Sequence, residues 1–411
     1  MSAALELEPT SDPRRWAALA FIALAQLMIA LDATIVSIAL PSAQSALHAS
    51  DADRQWVVTA YTLAFGGLLL VGGKIADQLG RKRAFLIGLA GFALASVAGG
   101  AAPSFGALIA ARAAQGAFAA LLAPTALSLL ATSFTEPRER ATAFAVYGSI
   151  AGSGAALGML LGGALTQYFS WRWCLYVNLP IAVAAAMGGA SVLPSSIARR
   201  ASGYDLPGVL LVVGGLVALV YSTTQAKFVV ASAVLLALFV LRELRTAQPL
   251  LPPPVVLDRN RGGAYLAVGL AIAGMFGAYL FLTYYLQVVL RFTPLQAGLA
   301  FLPITVASQA GSWLIARRFL PRVSPRALMA PGALIAAAGL ALLTQLHTGS
   351  GYLTLVLPAE LLLGLGLSTA MVPAFSTATF GVDPRQAGVA SAIVNTTQQV
   401  GASLGTALLN T

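Results

Sequence analysis

Long apolar blocks, separated by short stretches rich in Arg, Lys, Pro and Gly, repeat along the whole of this chain. Blocks long enough to cross a hydrocarbon layer of about 30 Å as helices lie at about 16–40, 56–73, 84–102, 105–132, 141–165, 173–193, 206–222, 225–241, 263–288, 296–316, 327–346, 352–376 and 387–411. The pattern predicts thirteen membrane helices in an all-α polytopic membrane protein. The longest polar stretch, Arg242 to Gly262, holds Pro249, Pro252, Pro253 and Pro254 among mixed charges and reads as a stiff linker. The expected division is 1–194 as a six-helix bundle, 195–262 as two extra helices with the linker, and 263–411 as a second bundle. Because the final apolar run reaches Thr411 without flanking charge, that bundle is expected to be incomplete, with a further helix missing.

Composition narrows the class. The 411 residues are 58% hydrophobic and 9% charged, against about 25% charged in a soluble domain. A net charge of +10 would suggest nucleic acid in a soluble protein. Here the basic residues sit in short loops, and nucleic-acid binding is rejected. With the N-terminus in the cytoplasm, nineteen of the 24 Lys and Arg residues fall inside. Arg54, Arg172, Lys227 and Arg291 fall outside, and Arg112 falls within the membrane. Cys174 alone builds no disulfide framework, and His48 and His347 alone furnish no metal site. Met1 to Pro13 lacks the pattern of a signal peptide and reads as a short cytoplasmic tail.

The segment GKIADQLGRKR, Gly73 to Arg83, packs four cations and one carboxylate between two apolar runs. Gly73 suits close helix approach and Gly80 a turn with positive φ, while Asp77 can pair with Arg81 beside Lys82 and Arg83. This spacing resembles the loop-2/3 signature of the major facilitator superfamily. LDATIVSIALP (Leu31 to Pro41) resembles the first-helix signature of its fourteen-helix drug/proton antiporter branch, with Ser37 where Asn is usual. RAAQGAFAALLAPT from Arg112, WRWCLYVNLPIA from Trp171 and YLQVVLRFTPLQAGLAFLP from Tyr285 resemble three further motifs of that branch. The fifth-helix motif Gly-Pro-x-x-Gly-Gly is matched at Gly158, Gly162 and Gly163 with Met159 in place of the proline, so the usual kink is not assured. GSWLIARRFLPR from Gly311 reads as a faint repeat of the Gly73 segment without its acid.

The resemblance implies a major facilitator fold: two six-helix bundles, two helices inserted between them, and a central cavity lined by helices 1, 4, 9 and 12. It also implies proton-coupled efflux of hydrophobic or cationic small molecules across a bacterial inner membrane, by a monomeric unit without cofactors. Related carriers move lipids, siderophores or amino acids.

Charges inside hydrocarbon cost several kcal/mol and are functional candidates by default. At 1.5 Å per residue, Asp32 lies roughly 12 Å from the outer end of its helix, Arg112 roughly 10 Å, and Glu360 about eight residues in. The three share one layer, expected to face substrate, with Asp32 and Arg112 coupling protons and Gln115 beside them. The alternatives are an Asp32–Arg112 pair that only fixes packing and a Glu360 that snorkels to the interface. Tyr279, Thr283 and Gln287, at i, i+4 and i+8, form a polar stripe that either touches substrate or joins helices. The Walker spacing fails around Gly73 and Lys74, and no nucleophile–base constellation is present, so an intramembrane enzyme or a channel is the weaker reading.

Overall fold

The computed structural model describes residues 14–50, 53–134, 136–193, 205–222, 225, 227–246, 258–320, 322–347, 349–379 and 387–408. Among them every regular element is helical. The spans are α1 (Arg15–Ala46), α2 (Trp56–Leu79), α3 (Arg81–Gly100), α4 (Phe105–Ser133), α5 (Pro137–Tyr168) and α6 (Trp173–Val192). They continue with α7 (Leu206–Tyr221), α8 (Lys227–Arg245), α9 (Arg259–Val289), α10 (Pro294–Phe319), α11 (Pro325–Leu343), α12 (Tyr352–Ala378) and α13 (Ala387–Leu408). Each apolar run of the sequence holds one of these helices. Nine of the helices are long and apolar enough to cross a membrane among the described residues, and Trp56–Leu69 and Pro207–Leu219 are shorter apolar helices.

Local chemistry sets the boundaries. Ser104 caps α4 by accepting from Ala107 N, and Thr293 with Gln296 forms a capping box around Pro294 at the start of α10. Asp258 caps α9, accepting from Asn260 N and Arg261 N, and the Arg261 amide holds its carboxyl below the usual carboxylate range. The polar segment between the second and third apolar runs is shorter than expected. Arg81, Lys82 and Arg83 already belong to α3, and Gly80 alone breaks the chain, at φ 83°. Pi-helical turns close α9 (Tyr285–Val289) and α10 (Ile315–Phe319) and open α12 (Tyr352–Val356).

Helices α1 to α6 pack around Ile22, Met28, Phe85, Phe92, Leu122 and Phe134, all fully buried. In the second bundle, α9 to α13 pack around Leu282, Phe301, Ile304, Leu363 and Val268. The α7–α8 pair rests on the seam between α2 and α13, where Leu216 meets Leu63 and Ala407.

Small residues bring the helices together. A methyl group on Gly158 would come within 2.2 Å of Thr34 Oγ1, and one on Gly162 within 2.7 Å of Ile35 O, so these glycines seat α5 on α1. Gly163 faces the other bundle, where a methyl would meet Pro294 O at 2.5 Å. Without the proline, α5 runs as one helix from Pro137 to Tyr168. The close approach expected at Gly73 belongs to its neighbour: a methyl on Gly72 would meet Ala120 O at 2.1 Å, whereas one on Gly73 would find only Pro124 Cβ at 3.8 Å. The Asp77 side chain lies outside the described residues.

Candidate functional site

Asp32 sits midway along α1, where no water reaches it, and four other helices supply its surroundings. Arg112 and Gln115, three residues apart on α4, share one helical face and both turn to it. Arg112 Nη1 donates to Asp32 Oδ2 at 2.6 Å and to Gln115 Oε1 at 3.0 Å, while Arg112 Nε donates to Val57 O on α2 at 3.1 Å. Gln115 Nε2 donates to Asp32 Oδ1 (3.1 Å) and to Ser96 Oγ of α3 (2.7 Å). Asn178 Nδ2 of α6 donates to Asp32 Oδ1 at 2.8 Å. The Tyr61 ring of α2 lies 4.3 Å from Arg112 Cζ. No member of this network is more than 1% exposed. A buried ion pair is tolerated when its remaining lone pairs and protons are also bonded, and the amides meet that need here.

Below this network lies a cavity of about 690 Å³ between the two bundles, a drug-sized volume. Gln26 and Thr34 of α1, Tyr61 and Phe65 of α2, and Tyr147 of α5 line one side. Met275, Phe276 and Tyr279 of α9, Ser308 and Gln309 of α10, Met371 and Phe375 of α12, and Asn395, Gln398 and Gln399 of α13 line the other. These positions put it toward the end that carries the Gly80 turn. At the opposite end the bundles are joined. Gln287 Nε2 donates to Ile38 O (3.0 Å), Leu295 N to Gln167 Oε1 (3.2 Å), and the Thr59 and Thr406 hydroxyls meet at 3.1 Å.

Of the residues expected to face substrate, Tyr279 alone belongs to this wall. Asp32, Arg112 and Gln115 are brought together behind it, separated from the cavity by Tyr61. Thr283 turns back to Tyr279 O at 2.7 Å, and Gln287 joins the bundles, so the stripe on α9 divides among three tasks. Glu360 is fully buried beside Tyr352, whose hydroxyl lies 3.3 Å from its Oε2; its Oε1 has no partner among the described residues. It does not snorkel. Ser96, Asn178, Tyr61 and the α13 amides escaped the sequence reading. Asn178 and the Asn395–Gln398–Gln399 cluster carried a signal, since carboxamides inside membrane helices are uncommon enough to mark a site.

The sequence profile described as "Major Facilitator Superfamily" matches residues 22–406. The chain is 54% identical to the puromycin resistance protein of Streptomyces alboniger, covering 97% of this chain and 82% of that protein. It is 40% identical to the cephamycin export protein of Amycolatopsis lactamdurans (96% and 84% covered) and 32% identical to a multidrug efflux pump of Mycolicibacterium smegmatis (100% and 84%). Among solved structures, a bacterial homologue of the human lysosomal transporter Spinster, inward-facing and unoccupied, aligns with a TM-score of 0.69 at 17% identity, covering 97% of this chain and 82% of that one. A peptide transporter with bound sulfate aligns at 0.70 and 14% identity, covering 95% and 88%. Those two likenesses show the fold. With the profile spanning nearly the whole sequence and these relatives above 30% identity, the chain belongs to the major facilitator superfamily, as a multi-pass membrane transporter of small molecules and not an enzyme.

Proposed function

We propose that this chain exports drug-sized organic molecules across a bacterial inner membrane in exchange for protons. The observation that carries the reading is the Asp32–Arg112 pair, fully buried yet separated from a large cavity by one tyrosine ring. The names of the relatives, which speak of resistance and export, support the direction. With most loop cations in the cytoplasm, the cavity faces the cytoplasm and the joined end faces outward. On this reading 1–194 and 263–411 act as two rocking bodies, 195–262 bridges them, and one chain in the bilayer is the transport unit.

Protonation of Asp32 removes one charge of the pair and leaves Arg112 with amide, carbonyl and ring partners only. That loss favours an arrangement in which Arg112 finds other partners or water, so proton and substrate occupancy bias the same equilibrium between inward-open and outward-open forms. The α2–α13 and α5–α10 seams are where the bodies slide. The segment from Gly73 to Arg83, with Asp77, is proposed as the latch between them.

The test uses purified protein in liposomes. Asp32→Asn is expected to bind substrate but to lose ΔpH-driven accumulation, while wild-type transport saturates and follows ΔpH. Full coupling in the variant would sink the assignment of Asp32. An ohmic conductance in the wild type would point to a channel instead of a carrier.

A further inference from the structure

Among its described residues the cavity wall contains no Asp, Glu, Lys, Arg or His, and it holds five carboxamides. Gln26 is already held by the Tyr147 hydroxyl. Gln309, Gln398 and Gln399 differ, since none of them hydrogen-bonds to a protein group among the described residues. Gln398 and Gln399 stand one turn beyond Asn395, which places all three on one face of α13. On α10, Ser308, Gln309 and Ser312 cluster in the same way.

Such a wall treats ligands unequally. Each carboxamide offers two donors and an acceptor, so an uncharged ligand rich in oxygen and nitrogen can replace the water that these groups give up as the cavity closes. A permanent cation meets only aromatic rings such as Phe65, Phe276, Tyr279 and Phe375, each contact worth about 0.5–2 kcal/mol, and no counter-charge. Asp32 is neutralised by Arg112 at 2.6 Å, and Glu360 lies outside the wall. Desolvating a cation without a counter-charge is costly.

We propose that the cavity takes uncharged, hydrogen-bond-rich organic molecules and discriminates against permanent cations, with Gln309, Gln398 and Gln399 reading the ligand. The inference rests on the export reading only in taking this cavity as the substrate site. It is therefore tested by equilibrium binding to purified full-length protein without any gradient, so that a failure of proton coupling leaves it untouched.

Three probes separate the classes: chloramphenicol, neutral with an amide and two hydroxyls; N-phenyl-1-naphthylamine, neutral and almost bare of polar groups; and tetraphenylphosphonium, a permanent cation. Chloramphenicol is expected to bind at least about tenfold more tightly than tetraphenylphosphonium. The double variant Gln309→Leu/Gln398→Leu is expected to lose about tenfold or more of that affinity while naphthylamine binding holds. Gln398→Glu supplies the missing charge and guards against a folding artefact, because it is expected to raise tetraphenylphosphonium affinity. Tetraphenylphosphonium binding most tightly to the wild type overturns the proposal. So does chloramphenicol binding that is absent, or that is unchanged in the double variant.

Discussion

The Tyr61 ring covers the Arg112 guanidinium at 4.3 Å on one side and borders the cavity on the other. It thus both lines the cavity and touches the charged partner of Asp32. Its backbone is fixed independently: a methyl on Gly116 of α4 would lie 2.3 Å from Tyr61 O, so α2 and α4 cannot slide without moving this ring.

The Tyr61 hydroxyl is buried and has no hydrogen-bond partner among the described residues. Tyr61→Phe keeps the ring over Arg112 and removes only that orphan, so transport is expected to stay within about twofold of wild type. Tyr61→Ala removes a cation–π contact of roughly 0.5–2 kcal/mol and opens the ion pair to cavity water. It is expected to cut ΔpH-driven accumulation by more than it weakens equilibrium binding of substrate. Paired binding and transport assays on both variants decide this, and normal coupling in Tyr61→Ala would count against a role for the ring.

How much of this was legible in sequence depended on contrast. Asp32, Arg112 and Gln115 stood out because charges and amides are rare in apolar runs, and the i, i+3 spacing on α4 was enough to place Arg112 and Gln115 on one face. Ser96 did not stand out, because a serine in an apolar helix usually bonds its own backbone. Depth arguments set Asp32, Arg112 and Glu360 in one layer, but rise along a helix carries no azimuth. Two of them turned into the first bundle and the third toward Tyr352. The α13 amides were lost because the run was read for its length and not for its polar face. Adjacent glycines concealed the register of α2 against α4, which only packing distances separate.

Those glycines give a sharp comparison. Gly72→Ala would drive a methyl into the Ala120 carbonyl at 2.1 Å, a backbone group that cannot rotate aside, and is expected to destabilise the protein by about 1–3 kcal/mol. Gly73→Ala meets nothing closer than 3.8 Å and trades a flexible helix residue for a better helix former, so it is expected to be neutral or stabilising by up to about 1 kcal/mol. Thermal unfolding in detergent, followed by loss of the monodisperse chromatographic peak, reports both. Equal effects would mean that α2 and α4 pack in another register.

Glu360 poses a question of hydrogen balance. The Tyr352 hydroxyl donates to Ala300 O at 2.7 Å and also lies 3.3 Å from Glu360 Oε2. A phenol has one proton to give, and the shorter contact claims most of it. The Glu360 contact is then a good hydrogen bond only when Glu360 itself carries a proton. Glu360→Gln supplies an N–H in the place of that proton, so the melting temperature is expected to change by no more than about 2 °C. Because Glu360 lies outside the wall of the cavity, the substitution is expected to affect permanent cations and neutral substrates alike. If the outward-open form brings water to Tyr352 and lets Glu360 ionise, the variant moves fewer protons per substrate. Proton flux measured with an entrapped pH dye alongside substrate flux tests this. A selective loss of cation transport would instead return Glu360 to the substrate path, and an unchanged proton ratio would leave it a packing residue.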